Sequence, residues 1–231
     1  MTYPSVGPLA AVRLGWRYIL GPSRLADLLS VTSSSVRMYM REFAEMNLYP
    51  NGFHSLREAD HYKAAILYTI CRILRPETVV ETGVASGIST TGILAALERN
   101  SLGKLFSIDL PGTTYVTDSG TLWKDVTLPS GPGWLIPGHL KGRWTLIIGD
   151  SRGALTNLLS LHSEIDMFYH DSEHTNETMS FELKSAEEKL VTGGVMAVDN
   201  TNWSVAVGNF LRSGKYTYTM LYPFVTVMLA K

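Results

Sequence analysis

Residues 79–89 read VVETGVASGIS: a short β-branched run, then two glycines, Gly83 and Gly87, with three residues between them. The stretch ISTTGILAALERN (88–100) follows with the periodicity of an amphipathic helix. A strand, a glycine turn and a helix in that order let a ligand approach the backbone at the start of the helix, because glycine carries no Cβ. The spacing narrows the ligand. A dinucleotide-binding turn reads G-x-G-x-x-G and seats a pyrophosphate on the helix N-terminus. Here the middle position is Ala85, and Glu81 at the strand end would repel phosphate. A nicotinamide-dependent dehydrogenase is therefore the least favoured reading. An acid at that place suits a cationic ligand, such as an amino acid's ammonium group.

Outward from this turn the pattern stays regular. KLFSIDL (104–110), WTLIIG (144–149), IDMFYH (165–170) and GVMAVDN (194–200) read as strands, and RGALTNLLSLH (152–162) and TMSFELKSAEEKL (178–190) as helices. Strands alternating with helices imply right-handed crossovers and a parallel sheet covered on both faces. KYTYTMLY (215–222) and FVTVMLAK (224–231) are separated only by Pro223, which leaves room for a hairpin but not for a helix, so the last strand should run antiparallel. The expected class is α/β, doubly wound and mostly parallel. Residues 1–60 read as an amino-terminal helical extension (SRLADLL, SSSVRMYMREFAEM), and residues 61–231 as the main domain. Within it, residues 111–143 are rich in Pro, Gly and Trp where a crossover helix is expected. A long irregular segment of this kind is read as a lid or substrate-binding insertion. Its Tyr115, Trp123 and Trp134 could line a pocket or anchor the loop on the core.

Composition is that of a globular protein: 45% apolar, 18% charged, net charge −1 over 231 residues. This balance leaves no electrostatic footprint for nucleic acid or an acidic membrane surface. The single cysteine, Cys71, excludes an internal disulfide and, within the apolar pattern AAILYTICRIL, reads as a buried small hydrophobe. Pro4, Pro8, Arg13 and Arg17 argue against a signal peptide or spanning helix near the start. A soluble, cytoplasmic protein is expected.

The acids at the strand ends form a series. Asp109 ends the second strand, where it could accept both hydroxyls of a ribose. Asp150 and Ser151 follow the third, where they could meet an adenine amino group, though an Asp there is equally a helix N-cap. With ETGVASGIS, SIDL and GDS in place, the chain from about residue 60 resembles the class I S-adenosylmethionine-dependent methyltransferases. GWLIPGHLKGRWTLIIGDS, IDMFYHDSEHTNETMSFEL and GGVMAVDN resemble more narrowly the bacterial small-molecule group that includes macrocin O-methyltransferase. The resemblance implies a seven-stranded sheet and S-adenosylmethionine as cofactor. The cofactor side would comprise Glu81, Gly83, Gly87, Ser89, Asp109, Asp150, Ser151 and Asp171. It also implies a small-molecule hydroxyl as acceptor; a homodimer is expected as well.

Asp171 closes the fourth strand, and Asp199 and Asn200 close the fifth. Two carboxylates and an amide are a hard oxygen set suited to Mg2+. Zinc is a minor reading, because no paired histidine spacing or cysteine partner accompanies His170 and His174. Catechol O-methyltransferase offers a comparison: that family carries an Asp, then an Asp-Asn pair twenty-eight residues on, the separation of Asp171 from Asp199–Asn200 here. Its lysine base, three residues after the first Asp, is replaced by His174. An imidazole, with an unperturbed pKa of about 6.5, accepts a proton near neutrality without a large shift. His174 is thus the candidate base with Asp171 beside it, Mg2+ becomes less necessary, and His170 and Glu173 read as supporting residues. The competing reading is a non-catalytic cofactor-binding protein or partner subunit of the same fold.

Overall fold

The computed structural model describes residues 21–49, 58–112, 114–116, 120, 122–124, 131–222 and 225–231. Three helices come first: α1 (21–28), α2 (Ser33–Glu45), capped by the Thr32 hydroxyl on the Ser35 N–H, and α3 (Glu58–Leu74). The alternating part follows as β1 (Thr78–Thr82), α4 (Ile88–Asn100), β2 (Lys104–Asp109), β5 (Trp144–Ile148), α5 (Ser151–Ser160), β6 (Ile165–His170), α6 (Asn176–Glu187), β7 (Leu190–Val198) and α7 (Ala206–Leu211). The chain closes with β8 (Tyr216–Leu221) and β9 (Val225–Ala230).

These strands form one seven-stranded sheet in the order β5-β2-β1-β6-β7-β9-β8. β5, β2, β1, β6 and β7 are mutually parallel, while β9 runs antiparallel to both β7 and β8. The expected doubly wound sheet with an antiparallel last strand is therefore present. Because strand side chains alternate between faces, the sheet feeds two cores. Val79, Leu105, Met167, Tyr169, Val195, Ala197 and Val227 face a cluster with residues of α1 to α4. Val80, Ile108, Phe168, Met196, Val198 and Met228 face a second cluster with α5, α6 and α7. Leu25, Ala26, Leu28, Val36 and Phe43 of the first two helices share the first cluster with α3, α4 and the sheet. Cys71 is buried there too.

The β2–β5 connection, where an irregular insertion was expected, carries a short hairpin of β3 (Thr114–Val116) and β4 (Leu122–Lys124), then a 3-10 turn at Gly138–Arg143. The side chains of Tyr115 and Trp123 lie outside the described residues, as does the segment 1–20. Trp134 packs partly buried against the first core, the anchoring role. Among the described residues, no helix is long and apolar enough to cross a membrane.

Candidate active site

The parallel register places the site. Thr82 of β1 lies opposite His170 of β6, and His170 opposite Val198 of β7. The ladder runs one residue past each strand: Gly83 N–H donates to the Ile108 carbonyl, Asp171 N–H to Thr82, and Asp199 N–H to His170, at 2.8–2.9 Å. Gly83, Asp171 and Asp199 thus stand side by side on the rim at the carboxyl ends of adjacent strands, where open α/β sheets bind ligands.

The glycine turn is held from three sides. Gly83 has a φ of 84°, and a Cβ added there would lie 2.1 Å from the Asp171 carbonyl oxygen, so glycine is required for the rim to close. Gly87, with φ 91°, faces the segment 133–136; a Cβ there would meet Ile136 Cγ1 at 2.7 Å and Gly133 Cα at 2.9 Å. That segment ties itself to the turn, as the Gly133 and Leu135 N–H groups donate to the Ala85 and Ser86 carbonyls. From β2, Asp109 Oδ2 accepts from the Val84 and Ala85 N–H groups at 2.6 and 3.0 Å. Asp109, read from sequence as a ribose ligand, is thus also a brace for the turn. Ala85 itself sits in the left-handed region at φ 46°, a conformation these bonds hold in place.

Glu81 is fully buried beneath the turn. Its carboxylate accepts from the Ser89, Thr90 and Ser107 hydroxyls at 3.0, 2.9 and 2.7 Å. Burial pushes it up to about 7, against the pull of those three donors. The carboxylate is turned toward hydroxyls of the core, and Ser89 is one of its partners. Asp150 is the N-cap of α5, Oδ1 accepting from the Arg152 N–H at 2.8 Å, and Ser151 is the first residue of that helix.

The acidic end of the rim carries Asp171, His174 and Asp199, which each offer one donor atom within 4.8 Å of the others. Tyr169 donates its hydroxyl to Asp171 Oδ2 at 2.9 Å. His174 Nε2 lies 3.6 Å from Asp171 Oδ1 and 3.1 Å from Asn200 Nδ2. The imidazole is packed edge-on against His170 and Trp203, and burial pushes its pKa down, which keeps the ring neutral near pH 7. His174 Nε2 thus faces both the Asn200 amide and the Asp171 carboxylate. Among the described residues, His174 Nδ1 and Asp199 Oδ1 are buried without a hydrogen-bond partner.

Sequence reading missed the group at the centre. Lys63 of α3 reaches over the rim, with Nζ 2.6 Å from Asp199 Oδ2, 3.5 Å from Asp60 Oδ1 and 3.8 Å from Asp171 Oδ2. Burial works against the ammonium, but the charges of Asp171, Asp199 and Asp60 outweigh it and hold Lys63 protonated. Burial would likewise raise Asp171, yet Lys63 and His174 keep it well below the usual carboxylate range. Burial and the charge of Asp171 push Asp199 up, while the Lys63 ammonium pulls it back toward the carboxylate. The only signal in the sequence was a lysine one residue ahead of the run AAILYTIC, where a charge needs a partner. His170 and Glu182, also unpaired in the sequence reading, form a buried contact of 2.7 Å beneath the site, and Glu182 also accepts from Thr82 and Ser172.

The Mg2+ set expected of Asp171, Asp199 and Asn200 fits poorly. Asp171 and Asp199 converge, but Asn200 turns its amide nitrogen to His174, and an ammonium already lies against Oδ2 of both carboxylates.

Residues 80–201, more than half of the chain, match the family described as "Methyltransferase domain". The chain belongs to that family. Solved structures agree on the fold of this methyltransferase. It is similar to the SAH-bound methyltransferase PaMTH1 of Podospora anserina at 12% identity and TM-score 0.53, covering 100% of this chain and 99% of that one. The calicheamicin methyltransferase CalS11 gives 17% identity and TM-score 0.57 over 99% and 98% of the two chains. A putative caffeoyl-CoA O-methyltransferase from Staphylococcus aureus gives 15% identity and TM-score 0.55 over 92% and 100%. A comparison with curated proteins gives no match.

Proposed function

We propose that this methyltransferase transfers the methyl group of S-adenosylmethionine to a hydroxyl of a small molecule. The observation that carries the reading is the convergence of Asp171, His174 and Asp199 within 4.8 Å, one strand along the rim from the braced glycine turn. Proton-accepting groups there would stand beside a cofactor bound at the start of α4, which supports the reading. A putative caffeoyl-CoA O-methyltransferase and an S-adenosylhomocysteine-bound methyltransferase among the structural neighbours accord with the reading.

In the transfer, the substrate oxygen attacks the sulfonium methyl carbon. The O–C bond forms, the C–S bond breaks with its electron pair going to sulfur, and S-adenosylhomocysteine leaves. The hydroxyl proton goes to the Asp171–His174 pair. Asp171 is the more open of the two, while His174 is nearly enclosed behind it, so Asp171 meets the hydroxyl and His174 supplies the neutral base. Much of the rate would come from holding oxygen, carbon and sulfur in line.

The test combines titration calorimetry with S-adenosylhomocysteine and transfer of labelled methyl to a panel of phenolic and sugar hydroxyls. Saturable binding with transfer to oxygen is expected. No binding would remove the cofactor reading. Binding with no transfer to any acceptor would favour the non-catalytic alternative.

A further inference from the structure

Lys63 belongs to none of the motifs that identify the fold, yet it makes the shortest charged contact in the site. Its place is fixed by helix packing. α3 and α4 approach so closely that a Cβ on Gly92 would lie 2.5 Å from the carbonyl oxygen of Ala64, the residue after Lys63. That close approach sets the backbone of Lys63 over the rim, and the side chain, mostly buried, ends between three carboxylates.

We propose that the Lys63 ammonium is the resident cation of this site, standing where a divalent metal ion would otherwise bridge Asp171 and Asp199. Lys63 Nζ lies against Oδ2 of both carboxylates, two of the oxygens a bridging metal could take. Asp199 is buried, and its Oδ2 is engaged by Lys63 at 2.6 Å. The third ligand of the expected set, Asn200, turns its amide nitrogen to His174 instead. A neighbouring ammonium disfavours a second cation on the same carboxylates, and with Lys63 in place their charge is already compensated. Lys63 is thereby a positioning residue. It holds the Asp171 carboxylate at the mouth of the site and keeps positive charge next to it without an added metal. The inference concerns cation binding and does not need methyl transfer: absence of S-adenosylhomocysteine binding would sink the proposed function and leave it standing.

The test is Mn2+ binding followed by electron paramagnetic resonance, on the full chain, in wild type, Lys63→Met and Lys63→Met/Asp199→Asn. Lys63→Met keeps the apolar stem and removes the charge. The wild type should show no saturable site at millimolar Mn2+, and any methyl transfer should survive excess EDTA. Lys63→Met should gain one saturable site, at least ten-fold tighter than wild type, and the Asp199→Asn change should abolish it. Saturable binding of one Mn2+ to wild type that Asp199→Asn removes would overturn the proposal, as would a Lys63→Met protein that binds no tighter than wild type. Should Lys63→Met fail to fold, wild type and Asp199→Asn alone decide. Lys63→Arg, which keeps the charge, should remain as free of Mn2+ binding as wild type.

Discussion

Glu81 makes the sharpest stability prediction. It lies beneath the glycine turn, fully buried, with three hydroxyls directed at it, and its pKa is lifted from 4.5 to about 7. A carboxyl group with a raised folded-state pKa binds its proton more tightly in the folded chain than in the unfolded one. Its contribution to stability is therefore complete below about pH 4.5 and declines as the unfolded chain ionises first. The loss is finished once the pH passes about 7. The shift corresponds to a total loss of about 3 kcal/mol. Glu81→Gln removes the titration while keeping the shape. An amide oxygen can accept from Thr90 and Ser107, and the amide nitrogen can donate to Ser89, whose hydroxyl turns to suit. Urea unfolding of both proteins at intervals from pH 5 to pH 8 measures the difference. Other groups titrate in both proteins, so the quantity to read is the variant-minus-wild-type stability. It should rise by about 2.5 kcal/mol from pH 5 to pH 8. Parallel pH–stability curves would refute the reasoning and show that Glu81 is ionised in the folded protein across the range.

Further perturbations test the rim and the proton acceptor. His174→Ala should lower turnover by about 10²–10⁴-fold, the usual contribution of a positioned base, and leave S-adenosylhomocysteine affinity unchanged by calorimetry. Gly83→Ala should destabilise by more than about 2 kcal/mol in urea titrations, since left-handed backbone alone costs a non-glycine residue about 1–2 kcal/mol and the new Cβ would press on the Asp171 carbonyl. Gly112→Ala is its control, because φ is also positive but nothing lies within 4 Å, so only the backbone cost should be seen. Asp109→Ala leaves the Val84 and Ala85 N–H groups without their carboxylate, and should cost about 2 kcal/mol or more in stability. The same variant should weaken S-adenosylhomocysteine binding.

What the sequence revealed and what it hid divide along one physical line. The sheet was legible because each strand–turn–helix unit is local: VVETGVASGIS shows its strand, its turn and its helix within a few residues. Once the strands are parallel and in register, their next residues must share a rim, and so Asp109, Asp171 and Asp199 could be placed from sequence. The N-cap at Asp150 was also local and is present, one of the two readings its position allowed. The hairpin of β3 and β4 was not legible, since strands of three residues carry too little periodicity to register. Lys63 was hidden for a different reason. It lies 136 positions from Asp199, and nothing near either residue names the other. The contact exists because Gly92 lets α3 settle onto α4, a packing relation that no strand-end motif encodes. The rim's geometry is thus written locally and its charge balance is not. A chain could keep every motif of this site, lose the close approach at Gly92, and leave Asp171 and Asp199 in want of another cation.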